Sequence, residues 1–308
     1  MKVSAASSGQ VDQGLMQAHF SSKGGAENTV PGVCLICRSD RHDIVFKEFD
    51  ADILQCRSCR HISSSHQLDP QYAGYWDENV VVADPYWSVS RMPMYEDFVG
   101  RFMAGRSGSV IDMGCGLGFF VQYATRFPGW EAHGCEISPA AVRYAREKLG
   151  LTKIHCGRLD EVKLPEQSFD IVTMWDVLDH LLEPDAILQK CRSLIKPNGF
   201  CFIRTPNIRV QLPRARINKV FRGMREGVTY LQATHHPHHY STDTIRMLLN
   251  RNGFSRVEFV HFRPVLAAPG ASWLSRSIKS SSFWLVRALA AVSGGRVNLD
   301  NLYVIARP

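Results

Sequence analysis

The sequence has no stretch of about 18 or more consecutive apolar residues, which excludes a membrane-spanning helix. Its opening residues, MKVSAASSGQVDQG, carry no apolar run of roughly 7–15 residues behind the lysine, so no secretory leader is expected. Charge of one sign is in short excess: 36 Lys and Arg against 29 Asp and Glu leave +7. That balance permits contact with nucleic acid or an anionic membrane and requires neither. The cysteines cannot all pair, because there are nine, and their spacing suits metal chemistry better than a disulfide framework. A reducing, cytosolic setting is therefore expected, with peripheral contact at a membrane face left open.

What is present is ordinary for a globular protein: 308 residues, 45% hydrophobic and 21% charged. That length buries one large core or two modest ones. Residues 1–30 are rich in Ser, Gly, Gln and Ala without periodicity and are expected to form a disordered tail. Residues 31–66 differ. Cys34-Leu-Ile-Cys37 is followed, after 18 residues, by Cys56-Arg-Ser-Cys59. Two such knuckles supply two thiolates each, which predicts a structural four-cysteine zinc site in a ribbon with strands near 43–49 and 53–55. A domain of about thirty residues needs such a staple. His61 and His66 are read as surface or packing residues, since four cysteines already fill the site. Residues 67–105 read as a linker followed by a helix over 91–103. The linker's aromatics, Tyr72, Tyr75, Trp76, Tyr86 and Trp87, suit packing between domains or a cleft lining.

From Val110 the pattern alternates. Strands are predicted at 109–113, 131–136, 153–156, 169–174, 199–204, 256–262 and 301–306, with helices at 118–127, 139–149, 184–196 and 242–252. Ser138-Pro139 opens one helix and Gly150 closes it. Alternation over this length predicts an α/β fold with a doubly wound, mostly parallel sheet. Between the last two strands no segment carries the pattern of the earlier crossover helices, so these strands could pair antiparallel at an edge. In an open α/β sheet, ligands bind at the carboxyl ends of the strands. The first strand ends in VIDMGCGLGFF (110–120), whose glycines let the backbone turn and approach a ligand closely. The second ends in Glu136, suited to accept hydrogen bonds from a ribose diol. A Gly-x-Gly-x-x-Gly nicotinamide fingerprint fails, because position 119 is Phe.

VIDMGCGLG (110–118), GCEISPAAV (134–142), SFDIVTMWDVLDHLLEP (168–184), LIKPNGF (194–200) and IRTPN (203–207) together resemble a class I S-adenosylmethionine-dependent methyltransferase. The resemblance spans about 90–262 and resumes at 301–308. It implies a Rossmann-like, doubly wound seven-stranded sheet behind the small N-terminal zinc ribbon. The methyltransferase domain would then run over 106–308, with insertions at about 208–234 and 263–297. By resemblance, Gly114, Cys115, Gly116 and Gly118 shape the loop around the methionine part of the cofactor. Asp112 helps to hold its amino group. Glu136 and Ile137 meet the ribose, Arg158 and Leu159 border the adenine, and Trp175 and Asp176 flank the site. Two departures stand out: Arg158 replaces a frequent Asp, and Asp179 before His180 replaces the usual Glu.

Methyl transfer to a hydroxyl is helped by a general base. Candidates are His180 and, in the run His235, His236, His238, His239, chiefly His236 and His239; the run equally suits a polar loop at a helix entrance. The basic segment 209–230 suits either a substrate lid or a solvated helix face. The segment 271–292 suits a lid, a dimer contact or a peripheral membrane contact. The resulting expectation is methylation, at oxygen, of a small or carrier-linked acceptor such as a sugar, envelope or secondary-metabolite intermediate. An RNA methyltransferase that grips RNA with the ribbon and basic segment is the alternative. Against it, few aromatic–basic pairs occur in the ribbon, and no DPPY-like tetrad follows strand four. A binding protein that keeps this fold without catalysis is the third reading.

Overall fold

The computed structural model describes residues 32–66, 86–225, 228–263 and 298–308, with single positions at 288 and 292. The expectations for the 1–30 tail, for Tyr72, Tyr75 and Trp76, and for most of 271–292 lie outside the described residues.

Three short strands come first: β1 (His42–Glu48), β2 (Ala51–Cys56) and β3 (Ile62–Ser64), paired antiparallel in that order. Helix α1 (Met92–Phe102) leads into the main sheet. There follow β4 (Gly108–Met113), α2 (Phe119–Ala124), β5 (Trp130–Glu136), α3 (Pro139–Glu147) and β6 (Ile154–Cys156). Then come β7 (Phe169–Trp175), α4 (Pro184–Leu194), β8 (Ile195–Thr205) and α5 (Ile208–Arg222). After β9 (His238–His239), α6 (Thr242–Arg251) precedes the final pair, β10 (Arg256–Val260) and β11 (Leu302–Arg307).

The seven-stranded sheet runs β10-β11-β8-β7-β4-β5-β6. Its first five strands in the chain pair in parallel, and β11 pairs antiparallel with both β8 and β10. The antiparallel end expected from the sequence is present. Strand β7 is buried at every position except Asp170, as a strand covered on both faces should be. Local chemistry fixes the helix starts. Ser138 accepts from the Ala141 N–H at the head of α3, with Pro139 behind it. Ser241 and Thr244 form a reciprocal capping box on α6. On one face of the sheet, Phe98 of α1 packs edge-on against Phe202, with ring centroids 4.7 Å apart, and also touches Phe120 and Trp175.

The ribbon does not stand apart. Its β3 pairs with β9, so the small sheet draws its fourth strand from residues just before α6. Helix α5 lies along the other side. Ile208, Leu212 and Ala215 pack with Phe46, Ala51, Ile53 and Ile62 of the ribbon. Arg216 donates to the Val45 carbonyl and Lys219 to the Lys47 carbonyl. The basic segment is therefore not a wholly solvated face: the inner side of α5 is the strut that seats the ribbon. Neither His61 nor His66 is a surface residue; both are buried.

Candidate functional site

A cavity of about 240 Å³ opens at the carboxyl ends of β4, β5 and β7. The glycine turn after β4 forms one wall. Gly114 and Gly116 have positive φ (78° and 53°), and a Cβ on Gly114 would sit 2.7 Å from Val177 Cγ2. A side chain there would be strained twice over. Glu136 is buried beside this turn. Its Oε2 accepts from Gly116 N–H at 2.9 Å and its Oε1 from Ser138 N–H at 2.9 Å. Burial raises its pKa, and those N–H groups oppose the rise. Asp112 is buried as well, 2.7 Å from the Thr173 hydroxyl that donates to it. Burial pushes Asp112 up to about 7, against the pull of that hydroxyl and of Arg91.

The residues expected at a cofactor gather here. Asp112, Gly114, Cys115, Gly116, Glu136, Ile137, Arg158, Leu159, Trp175 and Asp176 all line the cavity. Gly118 does not. With φ 84°, it starts α2, and its Cβ position lies 2.8 Å from Leu151 Cδ1. Its smallness serves packing of the helix against Leu151. The Cys115 thiol is raised far above its ordinary range by burial, so it acts as a small apolar filler. Asp170 accepts from Ser109 N–H and Lys196, away from the cavity, in a structural role.

Asp176 has a left-handed backbone (φ 56°) and a carboxylate that pairs with both Arg91 and Arg204. Two guanidinium groups thus converge on one carboxylate at the cavity wall. Among the described residues, Arg91 and Tyr95 line the cavity from the start of α1. From sequence alone that helix reads only as a lead-in to the sheet.

One histidine of the described residues reaches the cavity, and others stand behind it. This is His180, whose Nδ1 lies 3.0 Å from the His235 carbonyl. A carbonyl only accepts, so Nδ1 carries the proton and the neutral ring has its lone pair on Nε2. His236 sits behind, with ring centroids 4.6 Å from His180, and its Nε2 is 3.3 Å from Asp179 Oδ2. Asp179, His180 and His236 offer one ligand atom each within 4.8 Å of one another. His239 is buried one step further back, its ring 6.1 Å from that of His236. The run is not a polar loop. His236 is held well below its ordinary pKa, and His235, His238 and His239 are at about 4, all chiefly because burial disfavours the charged ring.

In the ribbon, the Cys34 and Cys59 sulfurs are 3.5 Å apart, as are those of Cys37 and Cys56, and all four lie within 4.8 Å of one another. A disulfide would need about 2.05 Å. Tetrahedral Zn–S bonds of about 2.3 Å put sulfurs roughly 3.8 Å apart, so the set is sized for one ion. Burial works against ionising Cys56, yet N–H groups of Cys59 and Ser58 and the neighbouring thiols bring it down to about 7.

A family model described as a methyltransferase domain matches residues 90–258, just over half of the chain. This chain belongs to that family. Among curated relatives, the methyltransferase resembles a ubiquinone biosynthesis O-methyltransferase of Neisseria meningitidis serogroup C. The two are 27% identical over 140 residues, covering 41% of this chain and 59% of the relative. A protein of the same name from Rhodopseudomonas palustris (strain HaA2) is 34% identical over 104 residues, covering 32% and 40%. The chain thus spans about half the length of the curated relatives it matches. Among solved structures, phosphoethanolamine N-methyltransferase 2 of Haemonchus contortus, in complex with S-adenosyl-L-methionine, shares the fold. Its TM-score is 0.52 at 15% identity, over 80% of this chain and 63% of that one.

Proposed function

We propose that this methyltransferase moves a methyl group from S-adenosylmethionine to an oxygen of a small or carrier-linked acceptor. The observation that carries the reading is one cavity lined by two chemically distinct groups: Glu136 beside a glycine turn, and His180 backed by the Asp179–His236 pair. When bound, S-adenosylmethionine supplies a methyl already activated on a sulfonium, so the protein's task is alignment and exclusion of water.

Glu136 would accept from the ribose diol, with its carboxylate held in place by Gly116 and Ser138. Arg91 would present its guanidinium to the carboxylate of the methionine part, and Asp112 would offer an anion to its ammonium. Gly114, Cys115 and Gly116 bring the backbone close, and Leu159 and Arg158 face the adenine. His180 Nε2 would take the proton of an acceptor hydroxyl as its oxygen bonds to the methyl carbon. Asp179 and His236 would orient that ring from behind. Cys34, Cys37, Cys56 and Cys59 would hold one structural zinc, which closes the ribbon and leaves no open position for catalysis. Residues 31–66 would then be the ribbon and 106–308 the methyltransferase domain.

Calorimetric titration with S-adenosylmethionine tests the reading. Binding by the folded chain, weakened in Glu136→Ala, is expected. A folded wild-type chain that does not bind, or a Glu136→Ala variant that binds equally well, would overturn it.

A further inference from the structure

We propose that the ribbon shapes the cavity where His180 lines it, and that its buried Glu48 is a positioning residue for the histidines there. Glu48 is 2% exposed at the end of β1. Its Oε1 accepts from the N–H groups of Tyr230 and Leu231, the latter at 2.8 Å, and its Oε2 from Ala233 N–H at 2.8 Å. One carboxylate thus fixes three backbone N–H groups of the segment that enters the histidine run. Two residues later, the His235 carbonyl receives the His180 proton, and His236 meets Asp179. Moving residues 230–233 moves both contacts.

A second tie runs in parallel. Ser64 N–H donates to the Pro237 carbonyl at 3.0 Å, and Ile62 and Ser63 pair with His239 and His238. His238 Nε2 lies 3.1 Å from the Leu182 carbonyl, so it carries the proton and its Nδ1 accepts. The donor it faces is His61 Nε2 of the ribbon, at 3.3 Å. Leu182 itself lines the cavity. Ribbon side chains therefore reach the cavity wall by two independent routes, and both arrive at the histidines. Among the described residues that line the cavity, none belongs to the ribbon itself. Its action is through the segment it holds. The inference rests on the methyltransferase reading for its functional meaning and on geometry for its mechanical one.

The test uses the full chain with Glu48→Gln, which keeps the volume and replaces one acceptor oxygen by an N–H donor facing the segment. Three signals are read: hydrogen exchange of 228–240, the downfield resonance of the proton that His180 donates to the His235 carbonyl, and calorimetric binding of S-adenosylhomocysteine. The expected result is exchange faster by about tenfold or more in 228–240, loss of the His180 resonance, and unchanged S-adenosylhomocysteine affinity. Wild-type exchange with the His180 resonance retained would overturn the inference. So would loss of S-adenosylhomocysteine binding in the variant alone, since Glu48 would then support the whole fold. Should Glu48→Gln not fold, His61→Phe removes the side-chain part of the second route and is read by the same three signals. Faster exchange with the His180 resonance lost then supports the inference, and wild-type behaviour overturns it. Failure of the wild type itself to bind S-adenosylhomocysteine would instead sink the methyltransferase reading and leave the exchange result to judge the positioning role.

Discussion

His61 Nε2 donates to His238 Nδ1 across 3.3 Å, and the two residues are 177 positions apart in the chain. The contact is buried and one-directional, because the Leu182 carbonyl on the other side of His238 fixes its tautomer. Removing the donor strands a buried acceptor. His61→Ala is expected to cost about 1–3 kcal/mol of stability, the usual penalty for such a group. Urea unfolding monitored by Trp fluorescence measures it. A midpoint equal to the wild type's would show the pair to be idle.

Acid should loosen the histidine run. His238 and His239 have folded-state pKa values of about 4, against 6.5 ordinarily, and His235 matches them. Depressed values contribute stability that is present above 6.5 and is lost as pH falls toward 4. Asp112 acts oppositely over part of this window, since its raised value favours the folded state at low pH and that benefit fades toward 7. Glu136 and Asp300, raised by burial too, act as Asp112 does; three carboxylates against six histidines lowered by burial, His61, His155, His235, His236, His238 and His239, leave the net sign with the histidines. Thermal midpoints are expected to fall between about pH 6.5 and about pH 4.5, more steeply in Asp112→Asn. A flat profile over that range would refute the account.

Cofactor binding should carry the opposite signature of Asp112. A cationic amino group requires the ionised carboxylate, and Asp112 ionises near 7. Affinity for S-adenosylmethionine is expected to fall about tenfold per pH unit below that value. Asp112→Asn should bind more weakly and lose this dependence. Equal wild-type affinities at about pH 6 and about pH 8 would exclude Asp112 as the partner.

The ribbon should hold a metal at its four sulfurs. Substitution with Co²⁺ is expected to give the visible absorption of a tetrahedral thiolate site, abolished in Cys37→Ser. Stripping the metal should lower the thermal midpoint, because the ribbon's own core is small. An unchanged midpoint after verified metal loss would contradict this.

Two glycines of one turn should separate by effect. Gly118→Ala meets Leu151 and Ala145 at a φ of 84° and should reduce stability by about 1–3 kcal/mol. With cofactor saturating, its turnover should survive. Gly114→Ala meets Val177 at the cavity wall and should weaken S-adenosylmethionine binding as well. Identical binding losses in both would erase the distinction.

Where the chemistry is local, the sequence is readable. The cysteine knuckles, the Ser138 cap, the glycine turn and the acid ending the second strand each act within a few residues, so their placement follows from spacing alone. The antiparallel end of the sheet follows from the absence, in the sequence before the last strand, of a segment patterned like the earlier crossover helices. What lies beyond reach is long-range. Pairing of β3 with β9 depends on a two-residue strand with no periodicity to see. Arg91 lines the cavity and pairs with Asp176 beside Arg204, although it is 85 residues from Asp176 in the chain. The histidine run is held in place by Glu48, whose role no local pattern announces. Gly118 looks like its neighbours in the turn, yet its constraint comes from Leu151, far along the chain beyond α3.

Because β3 awaits a partner from far downstream, synthesis order matters. At about 5–20 residues per second, a ribosome needs roughly 9–35 seconds to travel from the ribbon to β9. Through that interval the edge of β3 presents unpaired backbone groups, the kind of surface on which nascent chains associate. Dense translation of one message would bring many such edges close together before the two residues that pair with β3 have been made.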